Sequence, residues 1–456
     1  MTVPRNAIRA ELGRPPGIAT DQLDGLVTVL DLIRSGAART RPDLARQAAL
    51  GRTVVSQRLG QLIAGGLVEE GALGPSTGGR APRELRFRAE AGVILAAELG
   101  ATSITVGRTD LAGQILAERD EPWDIAAGAG PTLDRVEALF DELLVDAPEQ
   151  PVWGIGVGLP GPVEFRSGRP VAPPIMPGWD GYPVRDRLGM RYRAPVWVDN
   201  EVNLMALGEF RAGIGRGEPD LVYVKIGSGI GAGLISGGRL HRGAQGCAGD
   251  IGHVAVGTDL AFGTDLGTGT DLGATGADRR RGEQVVCRCG NAGCLEALAG
   301  GVALARDAAA AARAGRSPFL AKRLAEVPDG QLDARDVSHA AEHGDPIAVG
   351  LLNRAGRLVG ETLATVVNVF NPAQVIVGGG VAESGDQLLA ALREAVYRRS
   401  LPLATRELRI TRSPMSNRAG VRGAAHMVAD ELFSRARLGS WIDRGSPVGL
   451  PELAAG

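Results

Sequence analysis

At Ala91 the hydrophobic pattern of this 456-residue chain changes period. Before that point apolar residues recur at helical spacing; beyond it, short apolar runs ending in Gly or polar residues alternate with helical segments. One packed layer cannot satisfy both patterns, and the length already exceeds what a single core usually covers. The chain therefore reads as a small helical domain followed by a larger α/β unit.

Within the first part, residues 1–18 are rich in Pro and Gly and read as a flexible arm. From Leu23 onward, Leu26, Val27, Leu30 and Ile33 mark a first helix that ends at "RSGA". Thr40 is placed to cap a short second helix, with Pro42 in its first turn and Leu44 and Ala48 inside. The stretch "RTVVSQRLGQLIAGGLV" reads as a third helix, with Val54, Leu59, Leu62 and Ile63 facing a core. Its other side then carries Arg52, Thr53, Ser56, Gln57 and Arg58, side chains able to reach base edges or phosphates. Next, "LVEEGALGPSTGGRAPRELRFR" alternates like a two-stranded wing around a basic tip, from which Arg80 and Arg83 would grip the backbone or enter a minor groove. Residues 19–90 thus have the grammar of a winged helix-turn-helix DNA-binding domain. Charge agrees, since residues 1–90 hold 13 Arg against 9 acidic residues, whereas 91–456 hold 37 basic against 43 acidic.

Beyond Ala91, "GVILAAELGATSITVGRTDLAGQILAERD" reads as three strands joined by turns, the opening meander of an actin-like lobe. "VWGIGVGLPGPV", "APVWVDNEVN", "DLVYVKIGSGIGAGLI" and "PAQVIVGGGVA" are further strands, and Pro131–Leu144, Leu352–Phe370 and Val421–Arg435 are helices. The expected organisation is a first lobe over 91–202, a second over 203–420, a C-terminal helix 421–436 returning to the first, and a tail over 437–456. Gly-Thr-Asp-Leu recurs at 257, 263 and 269 inside 257–282, which reads as a low-complexity loop produced by hexapeptide expansion rather than a Ca²⁺ site.

Three of the four cysteines, Cys287, Cys289 and Cys294, fall in "CRCGNAGCLE". A C-x-C-x₄-C run supplies three thiolates, and His253 in "AGDIGHVAV" is the expected fourth ligand of a tetrahedral, structural Zn²⁺. Cys247 reads as a small buried residue.

These motifs, "CRCGNAGCLE", "GDIGH", "VDNEVN" and "GSGIGAG", together with the winged helix, resemble the ROK family (repressors, open reading frames and kinases), in particular its DNA-binding repressors. The resemblance covers residues 20 to about 435. It implies a two-lobed domain of the ribonuclease H-like, sugar kinase and HSP70 type, and a sugar pocket made by Asn200, Glu201, Asp250, His253 and Glu296. Glu201 stands where the family's kinases place the Asp that deprotonates the sugar hydroxyl, and Asp250 where the family usually has Glu. On the phosphate side, "ELGAT" replaces the kinase D-x-G-G-T turn. Glu98 takes the place of the Mg²⁺-holding Asp, and Ala101 puts a Cβ, with a possible positive φ, between Gly100 and Thr102. Gly227, Ser228, Gly229 and Gly231 retain the second phosphate loop, although close packing would select the same glycines.

A positioned base is worth roughly 10²–10⁴-fold and a misplacement of about 1 Å costs about 10². Glu201, Glu98 and Ala101 together therefore point to lost phosphoryl transfer. The expected protein is a sugar-responsive repressor of carbohydrate genes, not an enzyme, that binds operator DNA as a homodimer or homotetramer. The competing reading is an active ATP-dependent sugar kinase with an appended DNA-binding domain. With 44% hydrophobic and 22% charged residues, no run of 18 apolar residues and no apolar signal core, a cytoplasmic, nucleoid-associated protein without membrane contact is expected.

Overall fold

A computed structural model describes residues 20–73, 83–256, 285–327, 330–383, 385–415 and 418–455. Helices α1 (Thr20–Arg34), α2 (Arg41–Gln47) and α3 (Arg52–Ala64) come first, followed by the antiparallel pair β1 (Val68–Leu73) and β2 (Arg83–Phe87), with Val68 opposite Phe87. Thr40 caps α2 by accepting from the Asp43 N–H at 3.3 Å. Leu26, Leu30, Leu44, Leu59 and Leu62 are fully buried among these elements.

On the inner face of α3, Leu59 and Leu62 are buried as expected, but Val55 takes the place expected for Val54. Val55 is 4% exposed and Val54 36%, because 55, 59 and 62 form the i, i+4, i+7 stripe. Arg58 falls on that stripe too, at 4% exposure, where it packs against Gly25 of α1 and donates from Nη1 to Gln61 Oε1 at 2.8 Å. It is a packing residue in this structure, contrary to its expected place on the outer face. Arg52, Thr53, Ser56 and Gln57 are exposed, as is Arg83 at the start of β2. Arg80 with the wing tip, the 1–18 arm and the 257–282 repeat lie outside the described residues.

The larger unit repeats one plan twice. Strands β3 (Val93–Leu99), β4 (Ser103–Asp110), β5 (Ile115–Pro122), β6 (Val152–Leu159) and β9 (Val196–Asn200) form a sheet in the order β5-β4-β3-β6-β9. A small ribbon, β7 (Val163–Glu164) with β8 (Arg169–Pro170), lies between the last two. Strands β10 (Leu221–Ile226), β11 (Ile230–Ser236), β12 (Arg239–Leu240), β13 (Gln374–Gly378) and β14 (Arg409–Arg412) form the second sheet, ordered β12-β11-β10-β13-β14. In each, an antiparallel meander continues into parallel strands. Every residue of β3 is buried because helices cover both sheet faces. On one face lie α4 (Ala129–Val145) and α5 (Val184–Tyr192). This is the two-lobed actin-like architecture.

Between the lobes, α6 (Glu201–Ala212) crosses the helix Arg418–Leu432. The crossing is close enough that a Cβ on Gly423 would lie 1.7 Å from the Leu204 carbonyl oxygen. That helix also packs on β3 and β6, and one hydrophobic core runs from it through Trp153 and Trp197 into α1 and α3.

The segment read as a tail is folded onto the same core. Trp441 is fully buried, 5.3 Å from Trp153 between ring centroids, and donates from Nε1 to the Leu432 carbonyl at 3.0 Å. Ile442 sits against Gly65 at the end of α3, and Leu23 of α1 against Gly439. Its few apolar anchors are dispersed among Gly, Pro and charged residues, so the average composition of 437–456 hid them. Among the described residues no helix is long and apolar enough to cross a membrane.

Candidate ligand cleft and metal cluster

The C-terminal ends of β3, β9 and β10 converge on a cleft of about 830 Å³ between the lobes, the usual position for ligands in α/β sheets. Glu98, Asn200, Glu201, Lys225, Asp250, His253 and Glu296 all line it.

Asn200 closes β9 and caps α6. Its Oδ1 accepts from the N–H groups of Val202 at 2.8 Å and Asn203 at 3.3 Å, while Nδ2 donates to Glu201 Oε2 at 2.8 Å and the Gly161 carbonyl at 3.1 Å. Glu201 is only 6% exposed, and its Oε1 lies 3.3 Å from Lys225 Nζ. Glu98 is 5% exposed with Oε2 unpartnered. Burial pushes the Glu98 carboxyl up to about 8, with Lys225 opposing and Glu201 and Asp120 adding to the rise. Burial likewise raises Glu201 against the pull of Lys225. Desolvation works to lower Lys225, yet the two carboxylates together lift it above its ordinary value, so the ammonium is charged. On the opposite wall Glu296 Oε2 accepts from the Ile230 N–H at 3.1 Å, and the half-exposed Asp250 stands 3.9 Å from His253 Nε2.

On the phosphate side, Gly100, Ala101 and Thr102 form the β3–β4 turn, where the Gly100 N–H donates to the Ser103 carbonyl at 2.9 Å. Ala101 does not adopt a positive φ, so its Cβ is a steric feature and not a strained one. In the second loop a Cβ on Gly229 would lie 2.2 Å from Glu296 Oε2. Packing against Glu296 is therefore sufficient to require that glycine.

His253, Cys287, Cys289 and Cys294 bring one donor atom each within 4.8 Å of one another. Cys289 and Cys294 sulfurs are 3.7 Å apart, as are Cys287 Sγ and His253 Nδ1. Tetrahedral Zn²⁺ with bonds of about 2.3 Å to sulfur spaces its ligands by roughly 3.8 Å, so donor type and spacing both fit. His253 presents Nδ1 to the sulfurs and Nε2 to the cleft, which joins the cluster to the pocket. Cys247, expected to be buried, is exposed and stands outside this group.

One cleft residue, Lys225, and one ion pair beside the cleft lie outside the sequence expectations. Lys225 interrupts the apolar strand "LVYVKI", a signal that was legible. Arg242 reaches from the second lobe to Asp199 Oδ2 at 2.6 Å and stacks 3.8 Å from the Phe165 ring centroid, a pairing no local pattern announces.

The family model described as ROK family matches residues 94–431. The chain belongs to the ROK family. A xylose repressor of Caldicellulosiruptor bescii is 29% identical over 409 residues, covering 89% of this chain and 95% of that protein. A glucokinase of Thermotoga maritima is also 29% identical, over 339 residues that cover 74% of this chain and 98% of the enzyme. In structure the chain resembles a ROK family transcriptional regulator described as a homologue of the E. coli Mlc protein. That likeness has a TM-score of 0.72 at 22% identity and covers 96% of this chain and all of that one. That glucokinase thus matches a smaller share of this chain than that xylose repressor does.

Proposed function

We propose that this ROK protein is a DNA-binding transcriptional repressor of carbohydrate genes whose cleft binds a sugar and no longer transfers phosphate. Asn200, Glu201, Asp250, His253 and Glu296 would hold the sugar hydroxyls. Arg52, Thr53, Ser56 and Gln57 on α3, with Arg83 and Arg80 of the wing, would contact operator DNA. Zn²⁺ held by His253, Cys287, Cys289 and Cys294 would fix the loop that carries His253 and Glu296 to the pocket. A homodimer or homotetramer would place two α3 helices in successive major grooves.

One observation carries the reading. Helix α6 begins with Glu201 at the cleft and ends near Arg211, whose Nη2 donates to Asp430 Oδ2 at 2.6 Å; Asp430 in turn lies 3.8 Å from Arg34 at the end of α1. About 18 Å of helix thus joins the pocket to the DNA-binding domain. The intact "GSGIGAG" loop and the glucokinase relative favour the kinase reading, whereas Ala101 and the Glu98 and Glu201 replacements oppose it.

The deciding experiment is fluorescence anisotropy of the zinc-loaded protein on its upstream intergenic DNA, titrated with sugars and sugar phosphates while ATP consumption is followed. A sugar that shifts DNA affinity without ATP turnover supports the repressor; sugar-dependent turnover restores the kinase. Chelation of zinc is expected to weaken both stability and sugar response.

A further inference from the structure

We propose that Lys225 is an internal cation that occupies the place a nucleotide-bound divalent ion would need, so that the floor of the cleft is filled by the protein's own ammonium. Two carboxylates converge there, Glu98 from the end of β3 and Glu201 from the start of α6. Both are almost completely buried, and Glu98 keeps an oxygen with no hydrogen-bond partner. Lys225 enters from β10 of the other lobe and places Nζ 3.3 Å from Glu201 Oε1.

Mg²⁺ demands octahedral ligands at about 2.1 Å and keeps several waters. An ammonium within ion-pair distance of Glu201 takes the volume and one of the carboxylate faces that such an ion would use. It also adds a positive charge that would repel it. The carboxylates at these positions therefore do not fit a bound divalent ion while Lys225 is present.

Residue choice points the same way. Only two of the 50 Lys and Arg residues of this chain are lysines, and one of them is here. A compact ammonium on a four-carbon stem can reach Glu201 on a cleft floor shared with Glu98 where a planar guanidinium, five donors wide, cannot.

The assignment rests on the proposed loss of phosphoryl transfer for the identity of the cleft. Its test uses metal ion alone, without DNA or sugar, so its failure leaves the sensor reading intact. Zinc-loaded wild-type protein and the Lys225→Met variant are titrated with Mg²⁺ and Mn²⁺, and binding is read by thermal shift and by Mn²⁺ paramagnetic resonance. Wild type is expected to show neither response. Lys225→Met leaves buried Glu201 without its counter-charge beside Glu98; it should melt earlier and then recover by about 3 °C or more when either ion is added. Adding Glu98→Gln should abolish that recovery. A Lys225→Met protein that ignores both ions overturns the proposal. Should that variant not fold, the wild type decides: a Mn²⁺ site lost on Glu98→Gln refutes the proposal, and no such site upholds it.

Discussion

Asn200 performs two tasks with two ends of one amide, and they can be separated. Its Oδ1 caps α6 while Nδ2 faces Glu201 and the cleft. Asn200→Ala is therefore expected to lose about 1 kcal/mol of stability as well as sugar binding. Asn200→Ser keeps a capping oxygen and removes the amide donor without setting a second anion beside Glu201. Urea unfolding with sugar titration should find it close to wild type in stability but defective in binding; full sugar affinity would exclude Asn200 from the pocket. A second residue, His426, covers the β4–β5 turn, where its ring lies 2.8 Å from the Cβ position of Gly113. Burial lowers its pKa from 6.5 to about 4, with Asp430 opposing and Arg211, Arg34 and Arg422 assisting. Because the folded value lies below the unfolded one, the unfolded chain takes up the proton first. Stability fully present above about pH 6.5 is lost as pH falls towards 4, by on the order of 2 kcal/mol. Unfolding curves between pH 7 and 4.5 should show this slope in wild type and a shallower one in His426→Gln; equal slopes would remove His426 as the cause.

Elements differ in how far their neighbours could be read from sequence. The strands "GVILAAELG" and "APVWVDN" were legible because burial on both faces writes an unbroken apolar run. The His253, Cys287, Cys289 and Cys294 cluster was legible as well, since three cysteines at this spacing need a fourth donor nearby to close a metal site. Helix α3 was legible in existence and in its buried Leu59 and Leu62, but not at its first turn: "VV" offers two adjacent valines, and only packing on α1 selects Val55 and turns Arg58 inward. Lys225 and Glu201 are 24 residues apart and come from different lobes, so neither strand pattern nor spacing could have joined them. The 437–456 segment was missed for another reason, because its work is done by Trp441 and Ile442 against residues more than 280 positions earlier. Trp441→Ala should cost about 3–5 kcal/mol, as expected for a fully buried indole. Chain truncation after Arg437 should cost at least as much and expose the Trp153 face. Limited proteolysis and thermal melting would test this; a truncated chain as stable as the full one would return the segment to the status of a tail.

At the scale of the molecule, Lys225 with Glu201 and Arg242 with Asp199 are ion pairs that span the lobes among the described residues, and a further group joins α6 to the N-terminal helical domain. In that group Arg211 and Arg34 share Asp430, and the Arg34 guanidinium stands 4.5 Å from the Phe433 ring centroid. A ligand that closes the lobes must move α6 or strain one of these pairs, because the crossing at Gly423 leaves no slack for sliding. A hundredfold change in DNA affinity requires the sugar to favour one arrangement by about 2.7 kcal/mol. Arg211→Met removes the link on α6 while leaving every cleft residue and every proposed DNA contact in place. It is therefore expected to retain sugar affinity and basal DNA affinity within about threefold, but to reduce the coupling between them by about 1 kcal/mol, roughly fivefold. Since coupling is reciprocal, DNA must weaken or strengthen sugar binding in wild type by the same factor that sugar changes DNA binding, and both factors must shrink together in the variant. Anisotropy and calorimetry on the same preparations measure the two sides of this cycle. An Arg211→Met protein with undiminished coupling would show that the signal leaves the cleft by another route, for which the shared core around Trp153 and Trp441 offers a path towards α3.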